Sequence, residues 1–544
     1  QDLVNYSGGD IDITDSAANL ISAGDHVLNV TGVDTVTVND GNGGATVTAQ
    51  DGADLSGFTA DVEFDVVDDV ADLKAIMGQN DAASYLTEAN SITVDNGSGD
   101  RVVGAQDGAI LASFTADVDF DVVATANEIA TELTGSIAPG TGVNSLDEAA
   151  DVVVSGGDVD AEDAAAIMQI SGYNTGGSQF EITDDVASVI SAGTGVIENG
   201  GVSKVEVTGV ADVSEGIVLN AFTSNVEFDV SGTADDIFAE VGRLGDADDV
   251  FVVSGDVSIS EAQSIQSLGG YNASGSTYEI EDSAANITAS TDTLMQNGTI
   301  KVDVTDTDVN ASIGNTLAAF TADIEFDVSD TAANIATQIA AGNGTNGTGY
   351  GADSLEDAGS VVVESGSAVL ASQAESIQDL ANYSGGDIDI TDSAANLISA
   401  GDHVLNVTGV DHITTTEATV GASDGALLGA FTADVHFDVA DTAANIAAEV
   451  MGANSATDLD EALSVVVQSG DAVSVAEAGA IQGISGYTGA GDLDIEDSAA
   501  ALISAGDPIL NQAGVDHIKA SDSSVLANIG ADLAAFTADI DFDV

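Results

Sequence analysis

The sequence predicts a parallel, β-rich solenoid with short helices at the corners, made of about ten coils of 48–63 residues. Two repeated phrases carry this prediction. One, close to FTADVEFDV, begins at residues 58, 114, 222, 320, 431 and 536. The other, YSGGDIDITDSAANLISAG, occupies 6–24 and again 383–401. Units of this size cannot each bury a core alone, so we expect neighbouring units to stack.

Each predicted coil ends at an aromatic residue, the Phe or Tyr with which such a phrase begins. Cutting there gives ten units: 7–58, 59–114, 115–173, 174–222, 223–271, 272–320, 321–383, 384–431, 432–487 and 488–536. Residues 1–6 then close a preceding coil, and 537–544 form the first strand of a further coil. Units that open with a Gly/Ser turn mostly alternate with units that open with Thr-Ala-Asp, so the larger period is a pair.

Within a unit the pattern predicts strand, helix, loop, strand and helix. The first strand shows period-2 alternation, as at 10–13 and 325–328. An Ala-rich helix follows, as at 331–335, and the Asp before it is a predicted N-cap. These predicted caps are Asp15, Asp68, Asp184, Asp282, Asp330, Asp392, Asp441 and Asp497. After a loop of variable length, longest at 342–351, the predicted second strands lie at 35–38, 152–154, 251–253, 361–363 and 465–467.

The alternative fold is a row of tandem β-sandwich domains of ~100 residues. Three features favour the solenoid over it: length variation at one loop, the lack of Pro-rich linkers, and two consecutive units of one kind at 59–173. Parallel strands stack about 4.8 Å apart, whereas packed helices need about 8–10 Å. The solenoid therefore requires very short helices or a curved stack.

The composition excludes several classes of protein. The chain has 93 acidic and six basic residues, a formal charge of −87, so nucleic acid and anionic membranes are not expected partners. It has no Cys, which excludes zinc–thiolate sites, iron–sulfur clusters and disulfides. Its 44% hydrophobic content is too high for a disordered acidic tail. No apolar run approaches the roughly 18 residues of a membrane span.

One strand position is acidic in every unit and supplies the candidate metal ligands. Alternation directs this acid outward and its apolar neighbours inward. If the strands that carry it are adjacent, like charges stack about 5 Å apart, and each pair costs roughly 0.8 kcal/mol in water. We expect Ca²⁺ or salt to offset this cost. The eleven positions, called the ladder acids, are Asp12, Asp65, Asp121, Glu181, Asp229, Glu279, Asp327, Asp389, Asp438, Asp494 and Asp543.

The sequence predicts no catalytic residues. The five histidines are interpreted as surface positions of the repeat: His26 and His403 are copies, and His412 and His517 both begin a second strand. No Ser-His-Asp set, HExxH motif or phosphate-binding loop is present. Acidic pairs occur throughout, so none stands out as a glycosidase pair, and a polysaccharide-active β-helix enzyme remains the enzymatic alternative. Plentiful Asn-x-Ser/Thr sequons make glycans a further expected partner.

The phrases DSAANLI, DTAANI and DSAANI, at 15–21, 282–287, 330–335, 392–398 and 441–446, carry a family resemblance. They are similar to repeats of large, acidic, secreted bacterial surface proteins of the adhesin, surface-layer and matrix type. The resemblance implies export to the cell surface or beyond, and calcium dependence.

The predicted function follows from the repeats and from the two end segments. Residues 1–6 match 378–383, and neither end segment looks like a capping repeat. Open strand edges favour head-to-tail contacts between copies. We therefore expect a non-enzymatic extracellular structural protein that self-associates, end to end or laterally, into filaments or a surface layer. The alternative is the repetitive stalk of a large bacterial adhesin.

Overall fold

A computed structural model describes residues 9–39, 41, 44–77, 86, 88–113, 117–135, 146–342, 355–452 and 458–544. The chain divides into two compact units, Gln1–Gly255 with Gln263–Tyr278 and Asp256–Ala262 with Glu279–Val544. The predicted boundaries at Tyr6 and Phe114, the segment 1–6 and most of the predicted loop 342–351 lie outside the described residues. Each compact unit is a mixed α/β structure of short strands and short helices.

The strands and helices alternate along both units. The strands of the first unit are β1 Ile11–Asp15, β2 Val33–Val38, β3 Thr46–Val47, β4 Val62–Glu63, β5 Asp65–Asp68, β6 Ser91–Val94, β7 Val102–Val103, β8 Val118–Asp119, β9 Asp121–Ala124, β10 Asp151–Val154, β11 Asp158–Val159, β12 Phe180–Asp185, β13 Val202–Asp212, β14 Val226–Thr233 and β15 Asp249–Ser254. Its helices are α1 Ala17–Ala23, α2 Asp25–Leu28, α3 Ala49–Ser56, α4 Val70–Met77, α5 Ala105–Leu111, α6 Ala126–Gly135, α7 Ala161–Met168, α8 Val186–Ala192, α9 Thr194–Ile197, α10 Val213–Leu219 and α11 Ala234–Ala239.

The same alternation continues in the second unit. Its strands are β16 Asp256–Val257, β17 Tyr278–Asp282, β18 Thr299–Val304, β19 Ile324–Glu325, β20 Val328–Thr331, β21 Val361–Glu364, β22 Tyr383–Gly386, β23 Ile388–Asp392, β24 Val410–Thr415, β25 Val435–His436, β26 Asp438–Thr442, β27 Ser464–Gln468, β28 Tyr487–Gly491, β29 Leu493–Asp497, β30 Val515–Ala520 and β31 Ile540–Asp541. The remaining helices are α12 Ile259–Gln266, α13 Ala284–Thr288, α14 Asp292–Gln296, α15 Ala311–Leu317, α16 Ala332–Gly342, α17 Ala371–Gln378, α18 Ala394–Ala400, α19 Asp402–Leu405, α20 Ala422–Gly429, α21 Ala443–Val450, α22 Val475–Gln482, α23 Ala499–Ala505, α24 Asp507–Leu510 and α25 Ala527–Leu533.

The strands form small parallel sheets, in which a strand pairs with one a short distance further along the chain. Ile11 of β1 faces Val33 of β2, and Val36 of β2 faces Val62 of β4. The strand orders are β1-β2-β4, β3-β5-β6-β8, β10-β9-β7, β11-β12-β13-β14-β15, β16-β17-β18-β19, β20-β21-β22, β23-β24-β25, β26-β27-β28 and β29-β30-β31. Such parallel pairing is unlike the antiparallel sheets of a β-sandwich, the alternative predicted above.

The two strand runs of one predicted unit are neighbours in a sheet. In the predicted unit 384–431, for example, Ile390 of β23 faces Ile413 of β24. Each predicted unit of 48–63 residues therefore holds two successive strand–helix repeats. The strands predicted at 35–38, 152–154, 251–253, 361–363 and 465–467 are all present, one or two residues longer than predicted in most cases.

The core lies between the strands and the helices. The phrase close to FTADVEFDV ends in Phe-Asp-Val, and the strand that carries these three residues is called the FDV strand. Its Phe and Val point into the core and its Asp points outward, as Phe437 and Val439 are buried on either side of Asp438. Helices pack against the helix of the next repeat, as α16 does against α17 and α21 against α22. Their lengths range from four residues in α2 to eleven in α16, which agrees with the predicted need for short helices.

A glycine at the fourth position of one class of helix allows the helix to pack closely on the FDV strand. A Cβ atom on Gly425 of α20 would lie 2.7 Å from Val439 Cγ2 and 3.2 Å from Leu459 Cδ2. Distances below 3.0 Å require a neighbour to move. The equivalent glycines, each similarly close to a valine of the following phrase, are Gly52, Gly108, Gly216, Gly314 and Gly530.

Candidate functional site

The structure places the ladder acids at the surface, as the alternation predicts. None of the eleven is buried, and nine lie within strands. Asp327 lies between β19 and β20, and Asp543 follows β31, so these two are outside the strands. The apolar neighbours of Asp389, Ile388 and Ile390, are fully buried.

The ladder acids of successive units do not lie on adjacent strands, so the condition for close stacking of like charges is not met. The second strand of each unit lies between them, and it presents a different residue beside the acid: Asp12 faces Thr35, Glu181 faces Lys204 and Asp389 faces His412. Ladder acids are then separated by at least two strand spacings, about 9.5 Å or more. At that distance two charges repel by about 0.4 kcal/mol in water, and physiological salt screens even this.

Hydroxyl groups on the intervening strands donate hydrogen bonds to several ladder acids. Thr35 Oγ1 donates to Asp12 Oδ1 at 2.5 Å, and Ser360 Oγ donates to Asp327 Oδ1 at 2.7 Å. Ser91 and Ser464 hold Asp65 and Asp438 in the same way. These contacts stabilise the charged carboxylates without a metal ion.

At a few positions a ladder acid faces another acid on the neighbouring strand. Asp121 faces Asp151, and Asp229 faces Asp249, whose backbone N–H donates to Asp229 Oδ1 at 3.1 Å. Calcium takes six to eight oxygen ligands. A ladder acid paired with one hydroxyl supplies only part of such a set, so Ca²⁺ at the ladder stays a prediction.

The six basic residues neutralise acids on the neighbouring strands and helices. Lys204 Nζ lies 2.7 Å from Glu227 Oε2, and Lys301 Nζ lies 2.8 Å from Glu325 Oε2. The hydrogen bond that Lys204 donates to Glu227 raises the pKa of Lys204, and the one that Lys301 donates to Glu325 raises the pKa of Lys301. The other four, Lys74, Arg101, Arg243 and Lys519, also form ion pairs. Such exposed pairs add little to stability, because water and salt screen them.

A second series of acids joins successive repeats at the N-termini of their helices. In each case one carboxylate oxygen accepts a hydrogen bond of 2.6–3.1 Å from the first backbone N–H of the helix one repeat earlier. A negative charge at this position is favourable because helix N-termini carry unpaired N–H groups and a partial positive charge. These bridging carboxylates are Asp68, Asp184, Asp282, Asp306, Asp330, Asp392, Glu417, Asp441, Asp497 and Asp522.

Asp392 illustrates how a bridging carboxylate contacts two helices. Its Oδ2 accepts from Ala371 N of α17 at 3.1 Å. Its Oδ1 accepts from Ser393 N at 2.7 Å and from Asn396 Nδ2 of α18 at 2.8 Å. The side chain is buried, with 5% of its surface exposed. One carboxylate thus fixes two consecutive helices relative to one strand.

This geometry corrects the predicted N-caps. The residue after the predicted Asp is the N-cap, and its side chain accepts from the backbone N–H at the third helical position, as Ser393 does from Asn396. The observed caps at six of these helices are Ser16, Asp185, Ser283, Ser393, Thr442 and Ser498. In the five-residue phrase Asp-Ser/Thr-Ala-Ala-Asn, the Asp therefore supplies the bridging carboxylate, the Ser or Thr is the N-cap, and the Asn donates a hydrogen bond to the Asp.

The Thr of the FTAD phrase forms another contact between repeats. Thr432 N donates to Asp402 Oδ1 at 3.0 Å and Thr432 Oγ1 donates to Asp402 Oδ2 at 2.6 Å. These bonds lower the pKa of Asp402. Thr321 binds Asp292 in the same way. The repeated Thr is thus structural, and it links the start of one short helix to the turn that begins the next phrase.

Among the described residues, Asp68, Asp69 and Asp72 form a group of three carboxylates close enough to share a metal ion. Asp68 is the bridging carboxylate of α3, since its Oδ2 accepts from Ala49 N at 2.8 Å. Asp69 and Asp68 raise the pKa of the exposed Asp72 carboxyl. Sequence reasoning did not single out this group, and of its members only Asp68 was predicted, as a cap.

Hydrogen bonds and neighbouring charges shift the pKa of these carboxyls in opposite directions. The Asn19 amide lowers the pKa of Asp15. Burial raises the pKa of Asp441, but the hydrogen bonds it accepts outweigh burial and leave its pKa below the usual value. The like charge of Asp69, by contrast, raises the pKa of Asp72. Acid should therefore affect the two classes in different pH ranges.

We expect the stability of the chain at low salt to pass through a maximum in weak acid. A carboxyl with a raised folded-state pKa destabilises the fold while it is charged, and this cost is relieved as pH falls through that pKa to the ordinary value of about 4. Carboxyls with a lowered pKa stabilise the fold above about pH 4, and this stabilisation is lost as pH falls further. Urea unfolding between pH 7 and pH 3 checks this. High salt should remove the rise and keep the fall; a steady decline from pH 7 at low salt would contradict the prediction.

No protein-family model matches this chain, and no curated protein matches it. In the described residues, no helix is long and apolar enough to cross a membrane.

Proposed function

We propose that this chain is a non-enzymatic extracellular structural protein whose strand–helix repeats form a parallel solenoid, and that its copies self-associate into filaments or a surface layer. The observation that carries the proposal is the series of bridging carboxylates, which repeats one bonding pattern from helix to helix. Acids placed in this way hold neighbouring repeats together, because their carboxylate oxygens accept hydrogen bonds from backbone N–H groups.

The surface acids support the same proposal. Ladder acids face hydroxyl, Lys, His or, at a few positions, acidic side chains, and this variety of partners supports a structural role rather than one repeated catalytic pair. In a stack of parallel strands, the outermost strand of each sheet exposes N–H and C=O groups that can pair with a further strand. End-to-end association by such pairing is specific, whereas lateral association must overcome repulsion between acidic faces.

The test measures assembly as a function of ionic strength and ion type. Sedimentation and electron microscopy of the purified chain are compared at low salt, in NaCl, and in CaCl₂ at matched ionic strength. We expect filaments or sheets that grow with protein concentration, in NaCl as well as in CaCl₂, because screening suffices when ladder acids are two strands apart. Assembly in CaCl₂ alone would assign the neutralisation to Ca²⁺.

Two other outcomes decide between this proposal and its alternatives. Isolated rods of uniform length under all conditions would support the adhesin stalk and contradict self-association. Turnover of a polysaccharide by the purified chain would contradict the non-enzymatic proposal.

A further inference from the structure

Two histidines lie together on the outer face of the sheet β23-β24-β25. His412 of β24 faces Asp389 of β23, and His436 of β25 faces Thr414 of β24. The two imidazole rings are 6.3 Å apart between centres and nearly perpendicular, at 81°. Neighbouring strands thus bring together two side chains that lie 24 positions apart in sequence.

A carboxylate accompanies each imidazole. Asp389 Oδ1 lies 3.3 Å from His412 Nδ1, and Asp434 Oδ2 lies 3.7 Å from His436 Nε2. The side chains of His412 and His436 are 68% and 40% exposed, so both can rotate without disturbing the core. Each imidazole therefore has a carboxylate beside one of its two ring nitrogens, at the protein surface.

We propose that His412 and His436 bind a divalent transition-metal ion of the zinc class through one imidazole nitrogen each, with Asp389 orienting His412 and Asp434 beside His436. Imidazole nitrogen and carboxylate oxygen are ordinary Zn²⁺ ligands, at about 2.0–2.2 Å. Two imidazoles on one tetrahedral ion have their ring centres roughly 5–6 Å apart, which a small side-chain rotation reaches from the observed spacing. A carboxylate on Nδ1 of a histidine directs Nε2 to the metal, and Asp389 is placed to do this for His412.

The nitrogen donors distinguish this site from the acidic surface around it. Carboxylates alone favour Ca²⁺ and Mg²⁺, whereas imidazole favours Zn²⁺, Ni²⁺ and Cu²⁺. The high negative charge of the chain raises the local concentration of any cation, but it does not select one. Selection for a transition metal therefore depends on the histidine pair.

The sheet β29-β30-β31 provides a matched comparison within the same chain. His517 faces Asp494 there, as His412 faces Asp389, and Asp541 takes the position of His436. His517 Nε2 lies 3.6 Å from Asp541 Oδ2. This sheet has the same strand register and the acids but one histidine only, so we expect it to bind Zn²⁺ much more weakly.

The experiment titrates the full chain with Zn²⁺ at neutral pH in excess Ca²⁺, which occupies the general carboxylate background. We expect one equivalent of Zn²⁺ to bind by calorimetry and to shift the imidazole NMR signals of His412 and His436. His412→Ala and His436→Ala should each weaken binding at least tenfold, while His517→Ala should leave it unchanged. The backbone NMR spectrum shows whether each variant remains folded.

A variant that gains a second Zn²⁺ site tests the proposal without relying on alanine variants that lose binding. Asp541→His combined with Lys519→Thr reproduces the residues of the first site, and it should raise the number of bound Zn²⁺ ions from one to two. Equal loss of binding in His412→Ala and His517→Ala would overturn the proposal. So would Zn²⁺ binding in excess Ca²⁺ that leaves both imidazole signals unshifted.

Discussion

Replacing Gly425 with alanine is expected to lower the free energy of unfolding by about 1–2 kcal/mol, although alanine is the better helix former. The new Cβ would lie 2.7 Å from Val439 Cγ2, and Val439 is fully buried. Overpacking of this kind typically costs about 1–3 kcal/mol. The gain in helix propensity recovers up to about 1 kcal/mol. Urea denaturation of the purified variant measures the difference.

Gly479→Ala is the matched control, because Gly479 also lies inside an eight-residue helix. Its added Cβ would meet only the end of the Ile509 side chain, at 3.2 Å, which can move. We expect this variant to be neutral or up to about 1 kcal/mol more stable. The difference between the two variants then reports steric conflict alone. If Gly425→Ala were as stable as Gly479→Ala, close packing on the FDV strand would not limit stability.

Repetition and alternation made the strands predictable from sequence. The second strands at 152–154 and 465–467 are where the pattern of consecutive valines predicts them, and the acid of each first strand faces outward. Which strands pair with each other was harder to predict, because alternation shows which face of a strand is buried but not which strand lies beside it. Stacking of ladder acids depended on their strands being adjacent, and this condition is not met because the second strand of the same unit lies between them.

The bridging carboxylates were only partly predictable. Asp392 was predicted as a cap of its own helix because Asp before an Ala-rich run is a local signal. Its bond to Ala371 is a contact between repeats, which no local pattern contains. Asp306, Glu417 and Asp522 were missed, although each follows the end of a second strand by two residues. The Ala-x-x-Gly-x-x-Leu pattern of α20 and α25 was a signal that could have revealed the packing glycines.

Both the glycines at the fourth helical position and the bridging carboxylates act between repeats rather than within one. The glycine brings a helix onto the strand of the following phrase, and the carboxylate joins the strand to the helix before it. Stability in a chain of this kind is a sum of repeat and interface contributions. A substitution at either position should therefore weaken an interface and reduce the cooperativity between the repeats on its two sides.

Asp392→Ala is expected to lower the free energy of unfolding by about 2–4 kcal/mol. The substitution removes an acceptor shared by Ala371 N, Ser393 N and Asn396 Nδ2. A hydrogen bond to a charged group contributes about 1.5–3 kcal/mol, and a buried donor left without a partner costs about 1–3 kcal/mol. Urea denaturation measures the total loss, and hydrogen exchange of the α17 and α18 amides shows where it falls.

Asp471→Ala provides the charge control for this variant, because Asp471 is an exposed acid outside the helices and strands. Both substitutions remove one negative charge from a chain of −87, so both relieve general repulsion equally. We expect Asp471→Ala to change stability by less than about 0.5 kcal/mol. Faster exchange confined to the first residues of α17 and α18 in Asp392→Ala would locate the effect at the bridge. Equal stability of the two variants would show that the bridge contributes nothing beyond its charge.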